Sequence, residues 1–420
     1  MPPEGTNHLQ TLYVDTHLAS TNPASTPAST IDARLLWRET GLPYFASNFY
    51  LRQRFGARVQ KVSVDAGFTC PNVDGTVATG GCTFCDNRSF SPSRRLPRAG
   101  IHGQIDQSIQ RMRLRYRKCR DFLAYFQPAT NTYAPVDRLR PLYEEALAHP
   151  RIVGLVIGTR PDCVPNDVLD LLQELASSPR HVGESLRDSH ETNPGMRQIW
   201  PSTTRANHCH ESSSQPPVSR PRLGETRPQV GESLRDSNFP SRRDASTCNR
   251  TYLCLEYGMQ TMHDRSLDWM NRGHHHDAMI DAVERSRGRG FEIAAHIMLG
   301  LPGESHDDML ATAREVGRLE LDSVKIHNLY CVKNTPLADQ VARGEVQLME
   351  RADYIRTLVD FIELLPPTMI VDRISGDAPP DYFMGPSWCL DKPAVKAAVL
   401  AEFARRRSWQ GLRWTVLGTR

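Results

Sequence analysis

Gly67–Phe90, GFTCPNVDGTVATGGCTFCDNRSF, sets Cys70, Cys82 and Cys85 among glycines and polar turn residues. Cys82 and Cys85 share the two-residue gap that brings two sulfurs to one metal centre, and eleven residues separate Cys70 from Cys82. A lone CxxC also suits a redox dithiol or half of a structural zinc site. Zinc requires a fourth ligand, yet the chain has no second CxxC, and the next histidine, His102, lies beyond a Ser/Pro/Arg segment without ligand spacing. Three thiolates on a [4Fe–4S] cluster would leave one iron open to bind a small molecule and pass it an electron. On spacing alone this open site stands level with zinc and dithiol chemistry taken together.

Just before the cysteines, VQKVSVDAG (Val59–Gly67) alternates at period two and is expected to be the first strand, delivering Cys70 past its C-terminal end, where barrel active sites form. Upstream, PYFASNFYLRQRFG carries aromatic and apolar residues at helical spacing and is expected to cover one end of a barrel. Downstream, HGQIDQSIQRMRLRYRKCR reads as a polar helix. Its Arg111, Arg113, Arg115, Arg117 and Lys118 suit a solvated face or, less commonly, a grip on polynucleotide phosphates. FLAYFQPATNTY is a second strand, PVDRLRPLYEEALAHP a helix, RIVGLVIGTRPDCVP a strand apolar enough to be buried on both faces, and NDVLDLLQELASS a further helix. TYLCLEYGMQT, FEIAAHIMLGLPGE and LDSVKIHNLY continue the strand pattern, which implies an α/β fold with a parallel sheet.

Strand faces then select candidate site residues. Tyr252, Cys254, Glu256, Gly258 and Gln260 share one side of their strand, with Leu253, Leu255, Tyr257 and Met259 on the other. The outside of an α/β barrel meets apolar helices, so the first set should face the lumen, as should Lys325 and His327. A buried Glu256 needs a partner, either a bound cation or hydroxyl, or a core Arg or Lys. Thr159, Arg160 and Asp162 end the third strand; Arg160 suits a forked grip on a carboxylate ligand or a pair with Asp162 that stiffens the turn, and Cys163 is expected to pack. The three histidines His274–His276 lack the spacing of a metal centre.

The chain has 420 residues, 39% hydrophobic and 24% charged, enough for one large core with appendages. A formal charge of +3 gives no global argument for nucleic-acid binding. Ten cysteines without a secretory signal do not read as a disulfide framework, and no apolar run is long enough for a membrane, so a reducing cytoplasm and no membrane partner are expected. Residues 1–34 read as a disordered tail, 35–178 as the first part of the core and 179–250 as a low-complexity insertion in which VGESLRDS occurs twice. Residues 251–336 resume the core, and 337–420 form a C-terminal extension in which Arg373, Asp377 and Trp388 are candidates to shape an opening.

The stretch RFGARVQKVSVDAGFTCPNVDGTVATGGCTFC resembles the opening of the radical S-adenosylmethionine (radical SAM) proteins of the YhcC-like group, whose cluster cysteines have this longer first gap. AYFQPATNTY, IVGLVIGTRPDCVP, LCLEYGMQT, MNRGHHHD, HIMLGLPGE and VKIHNLY follow that group's pattern in order, so the resemblance covers roughly Pro43 to Cys389 apart from the insertion. It implies an α/β fold, an incomplete (β/α)6 TIM-like barrel with a C-terminal extension and a disordered insertion. Its implied cofactors are a [4Fe–4S] cluster on Cys70, Cys82 and Cys85 and S-adenosyl-L-methionine (SAM). Implied contacts to SAM are Gln127 and Thr130 on the second strand, Thr159 and Arg160 on the third, Glu256 and Gln260 on the fourth, and the Gly300–Gly303 turn against the adenine. Glu256, Lys325 and His327 are the catalytic candidates, and Arg272 and His274 are implied substrate contacts. The group resembles the Elp3-like branch, which acts on wobble uridine, so tRNA is one implied substrate. A small metabolite or protein side chain is another, and a non-catalytic zinc or iron–sulfur nucleic-acid binding module is the reading from a different class. A flavodoxin- or ferredoxin-like electron donor is the implied protein partner.

Overall fold

The computed structural model describes residues 33–91, 94, 99–179, 250–376 and 378–415. Both VGESLRDS copies, nearly all of the tail and insertion, and Asp377 lie outside the described residues. Six β-branched and apolar runs form β1 (Val59–Val64), β2 (Asp121–Phe126), β3 (Ile152–Thr159), β4 (Tyr252–Gln260), β5 (Glu292–Leu299) and β6 (Ser323–Asn328). They pair in sequence order, every neighbour parallel, which is the arrangement that successive βα units generate. The C-terminal extension adds a seventh strand beyond the six expected, Ile370–Arg373, parallel to β6. The sheet curls into an incomplete barrel. A short antiparallel pair, Cys331–Val332 with Phe383–Gly385, lies outside it.

Helix α1 (Ser47–Phe55) precedes β1, and α2 (Asn87–Phe90) and α3 (Ile101–Arg115) follow it. Between the later strands run α4 (Val136–Ala148), α5 (Asn166–Ser177), α6 (Asp264–Trp269), α7 (His276–Ser286) and α8 (His306–Arg318). Helix α8 starts where the Ser305 hydroxyl accepts from the Asp308 amide and the Asp308 carboxylate accepts from the Ser305 amide, which satisfies two orphan donors. The extension supplies α9 (Pro336–Ala342), α10 (Arg351–Glu363) and α11 (Lys392–Arg406).

Alternation along the strands sorts the core as the period of two requires. Leu253, Leu255, Tyr257 and Met259 pack outward in one cluster with Leu139, Leu172, Val283, Val316 and Leu358 of the helices. Tyr252 and Cys254 point inward, into a second cluster with Val59, Leu123, Val156, Ala294 and Ile370. Trp37, Phe45, Tyr50 and Leu51 complete that cluster and plug the barrel at the N-terminal ends of its strands, so the PYFASNFYLRQRFG segment does cover one end. The plug is tied to the extension by Gln410, whose side-chain carbonyl accepts from the Phe45 amide at 2.8 Å while its NH2 donates to the carbonyls of Pro366 and Met369. Water is therefore kept from the lower lumen, and the site must open at the other end.

Candidate functional site

Directly above the apolar plug, six polar side chains from six strands form one layer. Glu256, 2% exposed, receives Lys61 Nζ on Oε1 at 2.8 Å and Lys325 Nζ and His296 Nε2 on Oε2 at 2.9 and 2.7 Å. Lys61 also reaches Asp372 of the seventh strand at 2.8 Å, and Lys325 donates to the Tyr125 hydroxyl at 2.8 Å. Burial opposes the charge of Glu256, but the ammonium groups of Lys325 and Lys61 and the His296 ring outweigh it and hold the carboxyl well below the usual range. The alternative of a core cation thus describes Glu256, whose two oxygens are already occupied by the protein itself.

A cavity of about 480 Å³ sits on this layer. Cys70, Cys82 and Cys85 border it on one side, and Gln127, Thr130, Thr159, Arg160 and Gln260 line the wall beside them. Lys325, His327 and Arg373 line the wall formed by β6 and the seventh strand. Arg160 makes the forked pair with Asp162 at 2.9 and 2.7 Å, yet its Nη1 is buried without a hydrogen-bond partner. Cys163 is buried outside the cavity lining.

The cysteine segment is held by contacts that its own sequence cannot supply. Its first turn closes when the Val73 amide donates to the Cys70 carbonyl at 2.8 Å, and its last when the Cys85 amide donates to Cys82 at 2.9 Å. Across these turns lies Asn271–Gly273, the connection between α6 and α7. Asn271 Nδ2 donates to the Gly81 carbonyl at 2.9 Å, and Asn72 Nδ2 donates to the Arg272 carbonyl at 2.9 Å. Gly273 has φ +68°, and a Cβ there would stand 2.4 Å from Val77 Cγ1, so only glycine lets the two loops touch. Arg272 Nη1 and Asn72 Nδ2 point at Cys82 Sγ at 3.4 and 3.5 Å. Burial and the neighbouring sulfurs of Cys82 and Cys70 push the Cys85 thiol up, with Arg272 pulling the other way. Among the described residues no three His, Cys, Asp or Glu side chains converge on the position of a single metal ion. A cluster, whose ligand sulfurs sit on different irons, tolerates the wider spacing.

Gly300 and Gly303 do not border the cavity; Gly300, at φ +83°, makes room for Met349, whose Cβ would lie 3.1 Å from a Cβ at that position. His274 is also absent from the lining, and burial followed by the Arg272 charge lowers its pKa to about 4. Arg272 does border the cavity, with its Nη1 against the Cys82 thiol and its Nη2 donating to the Gly258 carbonyl at 2.8 Å. Lys61, Tyr125 and His296 were missed, although the lumen-face argument that found Glu256 applies equally to them. Asp372 gave no signal, because its strand is too short to show a period.

Residues 321–405 match the Radical_SAM C-terminal domain family. The chain is 33% identical over 368 residues to the uncharacterized protein YtqA of Bacillus subtilis, covering 88% of this chain and 92% of YtqA. It is 30% identical over 339 residues to YhcC of Escherichia coli, covering 81% and 85%. A shorter match, 27% over 128 residues, joins 30% of this chain to 24% of the tRNA uridine(34) acetyltransferase of Methanocaldococcus jannaschii. Among solved structures, Elp3 of Methanocaldococcus infernus superposes with a TM-score of 0.50 at 15% identity, over 84% of this chain and 64% of that one, a likeness of fold.

Proposed function

Given that the chain belongs to the YhcC-like radical SAM enzymes, whose cofactors are a [4Fe–4S] cluster and SAM, we propose that Cys70, Cys82 and Cys85 hold the cluster at the rim of the cavity and that the substrate enters beneath it. The observation that carries this reading is three thiols on one cavity wall, with the Arg272 and Asn72 N–H groups directed at one sulfur. Bound there, the cofactors supply one-electron cleavage of a sulfonium and a 5′-deoxyadenosyl radical for hydrogen abstraction.

The chain's own residues prepare the space for that chemistry. Arg272 and Asn72 stabilise negative charge on the Cys82 sulfur by hydrogen bonding. Arg160 offers the unpartnered Nη1 to a carboxylate, with Thr159, Gln127, Thr130 and Gln260 as the polar groups around it. Glu256 is saturated by Lys61, Lys325 and His296, so its role is to fix the cavity floor, and Lys325 is held by it. The plug below keeps water from the lower lumen, so the floor is closed from beneath.

The likeness to a tRNA uridine(34) acetyltransferase supports a tRNA substrate. One observation favours a small molecule instead. Helix α3 runs about 22 Å back from the cavity end. Its arginine-rich terminus leads into Cys119, whose Sγ contacts the Arg58 carbonyl just before β1, at the plugged end. Phosphates gripped there would be remote from the cavity. A cytoplasmic setting and a flavodoxin- or ferredoxin-like donor go with the proposal, and no helix among the described residues is long and apolar enough to cross a membrane.

The test is anaerobic reconstitution with iron and sulfide, then dithionite and SAM. 5′-Deoxyadenosine and methionine are expected from the wild type, and neither from Cys70→Ala, Cys82→Ala or Cys85→Ala. A protein that takes up only zinc and yields no 5′-deoxyadenosine overturns the reading. For the substrate, a deletion strain whose tRNA nucleoside profile matches wild type, under conditions where the protein is made, removes the tRNA branch.

A further inference from the structure

The wall formed by β6 and the seventh strand carries a polar group with no role so far. His327 lies two residues beyond Lys325 on β6, roughly 6–7 Å above the ionic floor. Its ring is clamped: it stacks on His296 with centroids 5.7 Å apart at 28°, and a Cβ on Gly376 would stand 2.7 Å from its Nδ1. The ring borders the cavity, and its Nε2 is buried without a hydrogen-bond partner. A buried donor or acceptor left unmet is costly, so an unpaired nitrogen in a fixed ring on a cavity wall marks a place where a ligand atom belongs.

The local field says which kind of atom. After burial itself, the Arg373 guanidinium, His296 and Lys325 push the His327 pKa well down, and Glu256 alone among its principal neighbours pulls it up. Arg373 borders the same cavity, with its Nε donating to the Ser375 carbonyl. On the floor, both oxygens of Glu256 and one of Asp372 are engaged by lysines and His296, so these carboxylates present little free negative charge upward. A neutral ring held in a positive field is suited to donate to an anion.

We propose that His327, with Arg373 and Lys325 beside it, receives the anionic end of a small substrate, a carboxylate or a phosphate. The proposal rests on the radical SAM reading only for the role of the bound molecule as substrate; binding itself needs no cofactor chemistry. Anchoring the acid at this wall leaves the remainder of the molecule in the cavity that the three cysteines also border. The Nε2 atom is buried within the cavity, so a polynucleotide would have to bring a backbone phosphate inside to reach it, which is why the small acid is preferred.

Calorimetric titration of the full-length reconstituted protein with inorganic phosphate and, separately, with succinate tests this. One site per chain is expected for at least one anion, and the tighter of the two identifies the group. His327→Gln should weaken it roughly tenfold or more, the effect of losing one hydrogen bond to a charged group. Should that variant fold poorly, Arg373→Lys, which keeps the charge but loses the planar fork, should also weaken binding. No binding of either anion to wild type, undiminished binding in both variants, or loss only in Arg160→Gln overturns the assignment. Displacement of bound phosphate by unmodified tRNA but not by small organic acids overturns the small-molecule class. 5′-Deoxyadenosine formation in the same preparation reports separately on the radical reading.

Discussion

The floor of the cavity and its walls are built from similar side chains and behave oppositely. On the floor, Lys61, Lys325 and His296 occupy both oxygens of Glu256, and Lys61 also holds Asp372, at 2.7–2.9 Å. On the walls, Arg160 Nη1, Arg272 Nε and His327 Nε2 are buried with no partner. A closed ionic layer fixes geometry, because each charge would be costly if its partner moved. Unmet polar atoms around a cavity mark where outside groups are to bind. Polarity alone therefore does not identify functional residues; the state of satisfaction does.

The most severe way to break this comparison is to open the floor. Glu256→Gln leaves Lys325 and Lys61 without their shared carboxylate and should destabilise the fold by about 3–5 kcal/mol, read from urea unfolding. His327→Gln, on the wall, takes away no hydrogen bond of the ring's Nε2 and should leave the unfolding midpoint nearly unchanged. Equal losses from the two variants would remove the distinction.

Acid tests the floor without mutation. The Glu256 and Asp372 carboxyls are held below their ordinary values of 4.5 and 3.8, by Lys325 and Lys61 against burial for the first and mainly by Lys61 against burial for the second. Their contribution is complete above those values and is lost as pH falls through the lower folded ones. Unfolding midpoints should thus drop steeply below about pH 4, and this part of the drop should be absent in the double variant Lys61→Met, Lys325→Met.

A smaller effect sharpens the cysteine side. Gly273→Ala forces a side chain into φ +68° and onto Val77, at about 1–3 kcal/mol. Because this junction holds the loop, the variant should retain less iron per chain than its modest loss of stability would suggest. Smallest of all, replacing Arg111, Arg113 and Arg115 with Gln should change stability by under about 0.5 kcal/mol and leave 5′-deoxyadenosine formation unchanged. A large loss of that activity would bring the helix back as a substrate contact.

Much of this was legible along the chain. Period-two alternation placed Glu256, Gln260, Lys325 and His327 in the lumen, because a barrel strand must send its apolar side to the helices. The same rule would have returned Lys61 and His296. It could not supply the partners: Lys61 and Glu256 are 195 residues apart, and Asp372 comes from a four-residue strand that shows no period. The Gly300–Gly303 turn lies outside the cavity lining, and the sequence could not say so, since a glycine pattern reports backbone freedom and not what the backbone approaches.

The sequence by itself determined the strand order, the inward set of side chains and the cysteine spacing, all of which depend on local periodicity and on distances of a few residues. Only the tertiary structure decided that Glu256 is already paired, that Asn271–Gly273 clamps the cysteine loop, and that the His327 Nε2 is left unmet. Those outcomes depend on which strands become neighbours, and whether a buried charge or dipole is satisfied is a property of all its neighbours at once.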